Sequence, residues 1–339
     1  MTNIEQRVST SFSFFDHDDR FREIVAARQP KRRPRILYHY TDAAALKGIV
    51  EGRQLWATHF EYTNDASEVE LGIRLAIEYI DHEIEQHLKA DASVTIDEYL
   101  ANPADGSDPS VALLQVVQKT LDVWRARDPK FYDFFFVCFS KRDDQLSQWR
   151  AYAADARGYS IGFACSGLER VRPVGGQSEA TIDLLRVVYG KDDQLALIRR
   201  TISATRRLLD EVMPSLPLHM RKKCLVDFNM YLVACLIRLA VHFKYHGFEE
   251  EDEWRLIVSA KMMADLNESD VTVKTRACAR GNVPYVELDL AEAPIRRIVI
   301  GPKAHAGESE DTLDFGVKEL FRSRGLPVPQ VERSNIPYR

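Results

Sequence analysis

The chain has 339 residues, 45% hydrophobic and 29% charged, a composition that points to a globular protein rather than a disordered or fibrous one. A net charge of −5 gives no global attraction to nucleic acid. No apolar run approaches the roughly 20 residues that cross a bilayer, and a signal-peptide core is lacking, so the cytoplasm is the expected location and no membrane partner is expected. The five cysteines (Cys138, Cys165, Cys224, Cys235 and Cys278) are scattered, without a Cys-x-x-Cys pair. They read as buried thiols rather than a disulfide framework or a zinc site.

Residues 1–35 form an N-terminal extension whose Phe12, Phe14, Phe15 and Phe21 suggest docking on the body, followed by the basic joint Lys31-Arg32-Arg33-Pro34-Arg35. Ile36-Leu37-Tyr38-His39-Tyr40-Thr41 is an aromatic and β-branched run of strand character. Asp42 is a good N-cap for the Ala-rich helix that follows, and Gly52 should stop it. His39 therefore stands at a strand end beside a helix start, a place where ligands bind in mixed folds.

A second strand is expected near Gln54–Thr58, then Tyr62 in a loop and the capping-box pattern Asp65 to Glu68. Residues 66–90 read as a long helix with Val69, Ile73, Ala76, Ile77, Ile80 and Ile84 on one face. A further helix is expected at 111–127 and a buried strand at Phe134–Phe139. A helix carrying Ser147-Gln148-Trp149-Arg150-Ala151-Tyr152 follows, with strands near 158–163 and 184–189. Helices at 195–212 and 220–243 form a helical insertion, placed at about 191–247. Strands resume at 253–258, 285–288 and 295–300, before a closing helix at 308–324.

Glu251-Asp252-Glu253-Trp254-Arg255 is the second anchor. If extended, it puts Glu251, Glu253 and Arg255 on one face and Trp254 on the other. A carboxylate at the mouth of a buried strand is costly unless paired or used. Trp149 and Trp254 are expected in the core. Phosphate-loop, nucleophile-elbow and His-Glu-x-x-His patterns are missing.

Leu37-Tyr38-His39-Tyr40-Thr41, Tyr62-Thr63-Asn64-Asp65 with Glu68, Cys138-Phe139-Ser140, Ser147 to Tyr152 and Glu251 to Arg255 together resemble a bacterial family of unknown function. More remotely, a strand ending in His, a short helix, a second strand and a late Glu-x-Glu strand resemble the ADP-ribosyltransferases of the His-Tyr-Glu type. The fold this resemblance implies is α+β, a split mixed β-sheet with flanking helices and a helical insertion over 36–302, with 303–339 as a C-terminal helix and tail packed on the same domain. It implies cleavage of NAD at the nicotinamide–ribose bond, with ADP-ribose passed to a protein or nucleic acid, as in a bacterial toxin or phage-defence effector. His39 would bind a ribose hydroxyl, helped by Thr41. Glu253 would hold the nicotinamide ribose and stabilise the cation that forms as nicotinamide leaves. Glu251 would orient or deprotonate the acceptor. Tyr62, or else Tyr152, would stack on nicotinamide, and Arg150 would pair with the pyrophosphate. Two alternatives share this fold: an NAD glycohydrolase, and a non-catalytic nucleotide-sensing or interaction module.

Overall fold

A computed structural model describes residues 21, 23–26, 29–63, 67–87, 109–126, 133–175, 181–260, 271–278, 281–291, 294–304 and 310–338. Phe12, Phe14, Phe15 and the Asp65–Glu68 capping box lie outside what it describes. The chain divides into two compact units, one of residues 1–29, 67–129 and 188–246 and the other of residues 30–66, 130–187 and 247–339.

The first unit is helical. Among the described residues its long helices are Ser67–His87, Pro109–Ala126, Lys191–Val212 and Leu218–Ala240, so the insertion expected at 191–247 packs with helices from earlier in the chain. The apolar stripes close on one another: Ile73, Ile80 and Leu113 are buried, as are Phe228, Leu232, Leu236 and Leu239. Gly72 allows the closest approach, since a Cβ there would lie 2.5 Å from the Ala240 Cα. Polar side chains tie the helices at their rims, with Arg206 3.1 Å from Glu83 and Ser110 3.0 Å from Asp210. Of the aromatic residues in the N-terminal segment, Phe21 is described, and it is buried in this unit under the Arg238 guanidinium, 4.2 Å from the ring centroid. Among the described residues, no helix is long and apolar enough to cross a membrane.

The second unit carries a mixed sheet. Its strands are β1 (Ile36–Thr41), β2 (Gln54–His59), β3 (Asp133–Ser140), β4 (Tyr159–Ala164), β5 (Arg172–Pro173), β6 (Thr181–Arg186), β7 (Glu253–Ala260), β8 (Val273–Cys278), β9 (Gly281–Asp289), β10 (Ile295–Ile300) and β11 (Gln330–Arg333). The order runs β11-β10-β4-β1-β3-β2-β9-β5, with β7 joining β3 to β6 and β8 pairing β9. Among the described residues, the β10–β11 ladder is parallel and the other ladders are antiparallel. Strands β5, β8 and β11 were not expected, because two are very short and β8 is polar and mostly exposed, without the apolar face by which a strand is recognised.

One face of this sheet is apolar. Leu37, Val137, Phe139, Ile161, Phe163, Trp254, Leu256 and Ile298 pack there with the helix Ala43–Gly52 and Phe321 of the helix Glu310–Arg322. Asp42 caps the Ala43–Gly52 helix, accepting from Ala45 N at 2.7 Å. The left-handed residue that ends it is Arg53, with φ 50, and not Gly52. Over the other face of β1 sits the helix Leu146–Tyr152, whose Trp149 is fully buried edge-on to Tyr40 at 4.8 Å and donates to Asp144 at 2.6 Å. Ala154, Asp155 and Ala156 then make a left-handed turn, and Gly158 passes tightly under the carbonyl of Thr41.

Candidate functional site

The site forms where the sheet parts. β7 pairs with one edge of β3 along its whole length, from Asp133 to Ser140. The opposite edge is shared, with β2 pairing at Phe135 and Phe136 and β1 only at Ser140, through Tyr38. Between them the edge at Val137–Phe139 meets neither strand. The His39 imidazole takes up part of this gap, its Nδ1 bonding the Cys138 carbonyl at 2.9 Å. A carbonyl accepts only, so Nδ1 carries the proton and Nε2 is the acceptor.

Burial lowers the His39 pKa below the ordinary imidazole value, the Cys138 carbonyl opposes this, and the positive Arg276 adds to the lowering. His39 is therefore neutral in the fold near pH 7. Unfolded imidazole gains its proton near pH 6.5, so below that pH the unfolded chain holds more protons and the folded state loses stability until the folded ring itself titrates. In an NMR titration the His39 ring should titrate at a midpoint below about 6.5. A midpoint above that value would contradict this environment.

Strand register settles which side chains share a face. Tyr38 faces Ser140, and Ser140 faces Glu253, so these three stand on the polar face with Arg255 and its partner Cys138. His39 belongs by alternation to the apolar side, against Phe139 at 5.9 Å, and reaches the β3 edge through the Cys138 carbonyl. Thr41, two residues on, is buried on the same side of β1 as His39.

Glu253 and Arg255 are both almost fully buried and form a two-point ion pair, Nε to Oε1 at 2.7 Å and Nη2 to Oε2 at 3.2 Å. The Arg255 guanidinium also lies 5.3 Å from the Phe136 ring centroid. Glu251 does not share their strand register. It ends the turn His246–Glu251, and the chain swings through Asp252 at φ 42 before β7 begins. At this bend Arg186 holds the Asp252 carboxylate at 3.0 Å. Glu251 is nevertheless buried beside the strand mouth, where Ser140 donates to its carbonyl at 2.8 Å and Tyr152 donates to Oε1 at 3.2 Å.

The remaining candidates scatter. Tyr62 is exposed beyond the end of β2, against His59 at 5.9 Å. β2 ends opposite Phe135, five strand positions from Ser140 (135 to 140), which is about 17 Å along β3 at ~3.4 Å per residue. Arg150 is exposed, and its guanidinium lies 6.0 Å from the Tyr338 ring centroid. Cys138 and Cys278 are exposed, correcting the expectation that all five thiols are buried; Cys165, Cys224 and Cys235 are buried. Burial raises the thiol pKa of Cys165 to about 11 and of Cys224 to about 12.

One functional candidate escaped sequence reasoning. Arg276 of β8 donates from Nη2 to Thr58 Oγ1 at 2.9 Å and influences His39 electrostatically. The available signal was the alternation in Val273-Lys274-Thr275-Arg276, which puts both cations on one face of a strand.

Residues 148–256 match a family model described as a protein of unknown function (DUF2971). The match supports the likeness to a family of unknown function. It takes in Arg150, Tyr152, Glu251 and Glu253, while His39, Thr41 and Tyr62 lie outside it. Comparison with curated proteins and with solved structures gives no match.

Proposed function

We propose that this protein cleaves NAD at the nicotinamide–ribose bond and passes ADP-ribose to a macromolecule, protein or nucleic acid. The observation that supports this reading best is that His39 bonds the Cys138 carbonyl in the gap beside β3, the strand whose Ser140 pairs with the buried Glu253 and donates to the carbonyl of the buried Glu251. His39 offers Nε2 as acceptor to a ribose hydroxyl, with Thr41 next to it on the strand. Glu253 accepts from the 2′-hydroxyl of the nicotinamide ribose and faces the positive charge that grows on the sugar as the bond breaks. Glu251 takes the proton of the acceptor nucleophile, and Tyr152, donating to it, sets the direction of that carboxylate. Tyr152 is the better placed of the two tyrosines to lie against nicotinamide, since Tyr62 stands at the far end of β3.

Nicotinamide release from NAD by the full chain, with cell lysate as a source of acceptors, tests this. Glu253→Gln should slow release on the order of a hundredfold or more. Because that change also breaks the buried ion pair with Arg255, its melting temperature is measured alongside. Glu251→Gln should lower transfer to acceptors more than it lowers nicotinamide release. Absence of release in any lysate by folded wild-type protein would sink the transferase reading. Binding of NAD without release would point to the sensing module, a second reading favoured by Arg255 engaging both Glu253 oxygens.

A further inference from the structure

The polar face of the sheet continues past Glu253 and Arg255 to Phe136, then across β2 and β9. Thr58 is opposite Phe136 on one side and Tyr285 on the other, so the register keeps all three on this face. Arg276 of β8 reaches back over them. Its guanidinium lies 5.6 Å from the Trp56 ring centroid and 6.0 Å from that of Tyr285, and the two rings are 4.5 Å apart and tilted by 31°.

Three features make this a built site rather than a stray surface charge. Arg276 is half-buried, yet among the described residues it pairs with no carboxylate; its partners are a neutral hydroxyl and two aromatic rings. Lys274, two residues earlier on the same strand face, is by contrast neutralised by Glu287 at 2.8 Å. Trp56, finally, leaves 43% of its surface to solvent on a sheet whose Tyr285 is buried. A guanidinium has five donors in a planar fork, and Thr58 occupies one. The others suit the oxygens of a diphosphate, and an open indole suits a planar base.

We propose that Arg276, oriented by Thr58, grips the diphosphate of a nucleotide whose base lies on Trp56. The guanidinium thereby does what was expected of Arg150. The inference rests on the NAD reading for the reaction served, and only on this surface for the binding itself.

The test is binding by the full chain, followed by Trp fluorescence or calorimetry, with ADP-ribose, adenosine and inorganic pyrophosphate as probes. Arg276→Gln should weaken ADP-ribose binding at least tenfold and leave adenosine binding unchanged, while Arg276→Lys restores part of the loss. Trp56→Leu should weaken both ADP-ribose and adenosine. On the wild type, pyrophosphate should displace ADP-ribose, a measurement that stands even where a variant fails to fold. Equal ADP-ribose affinity in Arg276→Gln, no displacement by pyrophosphate, or no binding of ADP-ribose at all would overturn the proposal. Arg276-dependent binding without nicotinamide release would remove the transferase reading and leave this one. Nicotinamide release with an ADP-ribose affinity indifferent to Arg276 would do the reverse.

Discussion

Gly158→Ala should destabilise the protein by at least about 3 kcal/mol, the upper end of what overpacking a close-packed site costs. A Cβ on Gly158 would stand 2.1 Å from the Thr41 carbonyl oxygen and 3.1 Å from that of Ala153. Both are backbone atoms, so no rotamer change relieves the overlap; either β1 or the turn after Tyr152 must move. Gly158 is also tied on both sides, its N–H donating to Ala153 O at 2.9 Å and its carbonyl accepting from Gly301 N at 2.9 Å. The strand end that would shift carries His39 and Thr41, so ligand binding should fall with stability. Gly48→Ala is the matched control, because a Cβ there meets nothing within 4 Å inside a helix. It should stabilise by about 0.5–1 kcal/mol. Urea unfolding of the two variants decides the matter, and a Gly158→Ala protein as stable as wild type would refute the close approach.

Arg255→Met should cost about 3–5 kcal/mol at neutral pH, since it removes one partner of a buried ion pair. Glu253 and Arg255 have side chains only 6% and 3% exposed, too little for water to replace the lost partner. Adding Glu253→Gln to Arg255→Met should recover part of the stability, and the non-additivity of the double-mutant cycle measures the coupling. A cost below about 1 kcal/mol for Arg255→Met would mean that water reaches the pair as it does a surface ion pair. The same cycle separates roles. If nicotinamide release stays absent in the double variant while stability returns, Glu253 acts in the reaction beyond its structural pairing.

Much of this protein was legible in its sequence, for local reasons. The β1 run from Ile36 to Thr41, the Asp42 cap and the stripes of the helices Ser67–His87 and Leu218–Ala240 all follow from residue periodicity and capping chemistry, which act over a few residues. Trp149 and Trp254 in the core, and Glu253 sharing a face with Arg255, follow from the same rules. The failure at Glu251 is also local: one left-handed residue, Asp252, ends the alternation that would have carried it onto that face. Nothing within reach of Asp252 in sequence announces this, since the Arg186 that holds it comes from β6.

What the tertiary structure decided is long-range. Sharing of one β3 edge between β1 and β2 creates the gap in which His39 sits, and no stretch of sequence records which strands share an edge. The helical unit draws on three separate segments, whose stripes show that they bury a face but not against what. Arg276 reaches Thr58 from 218 positions away, through a strand too polar to recognise. Periodicity and capping are properties of neighbours along the chain, so the sequence by itself determined the elements and most of their buried faces. Which polar groups then converge depends on strand order and register, set by burial summed over the whole unit, and only the folded chain determined that.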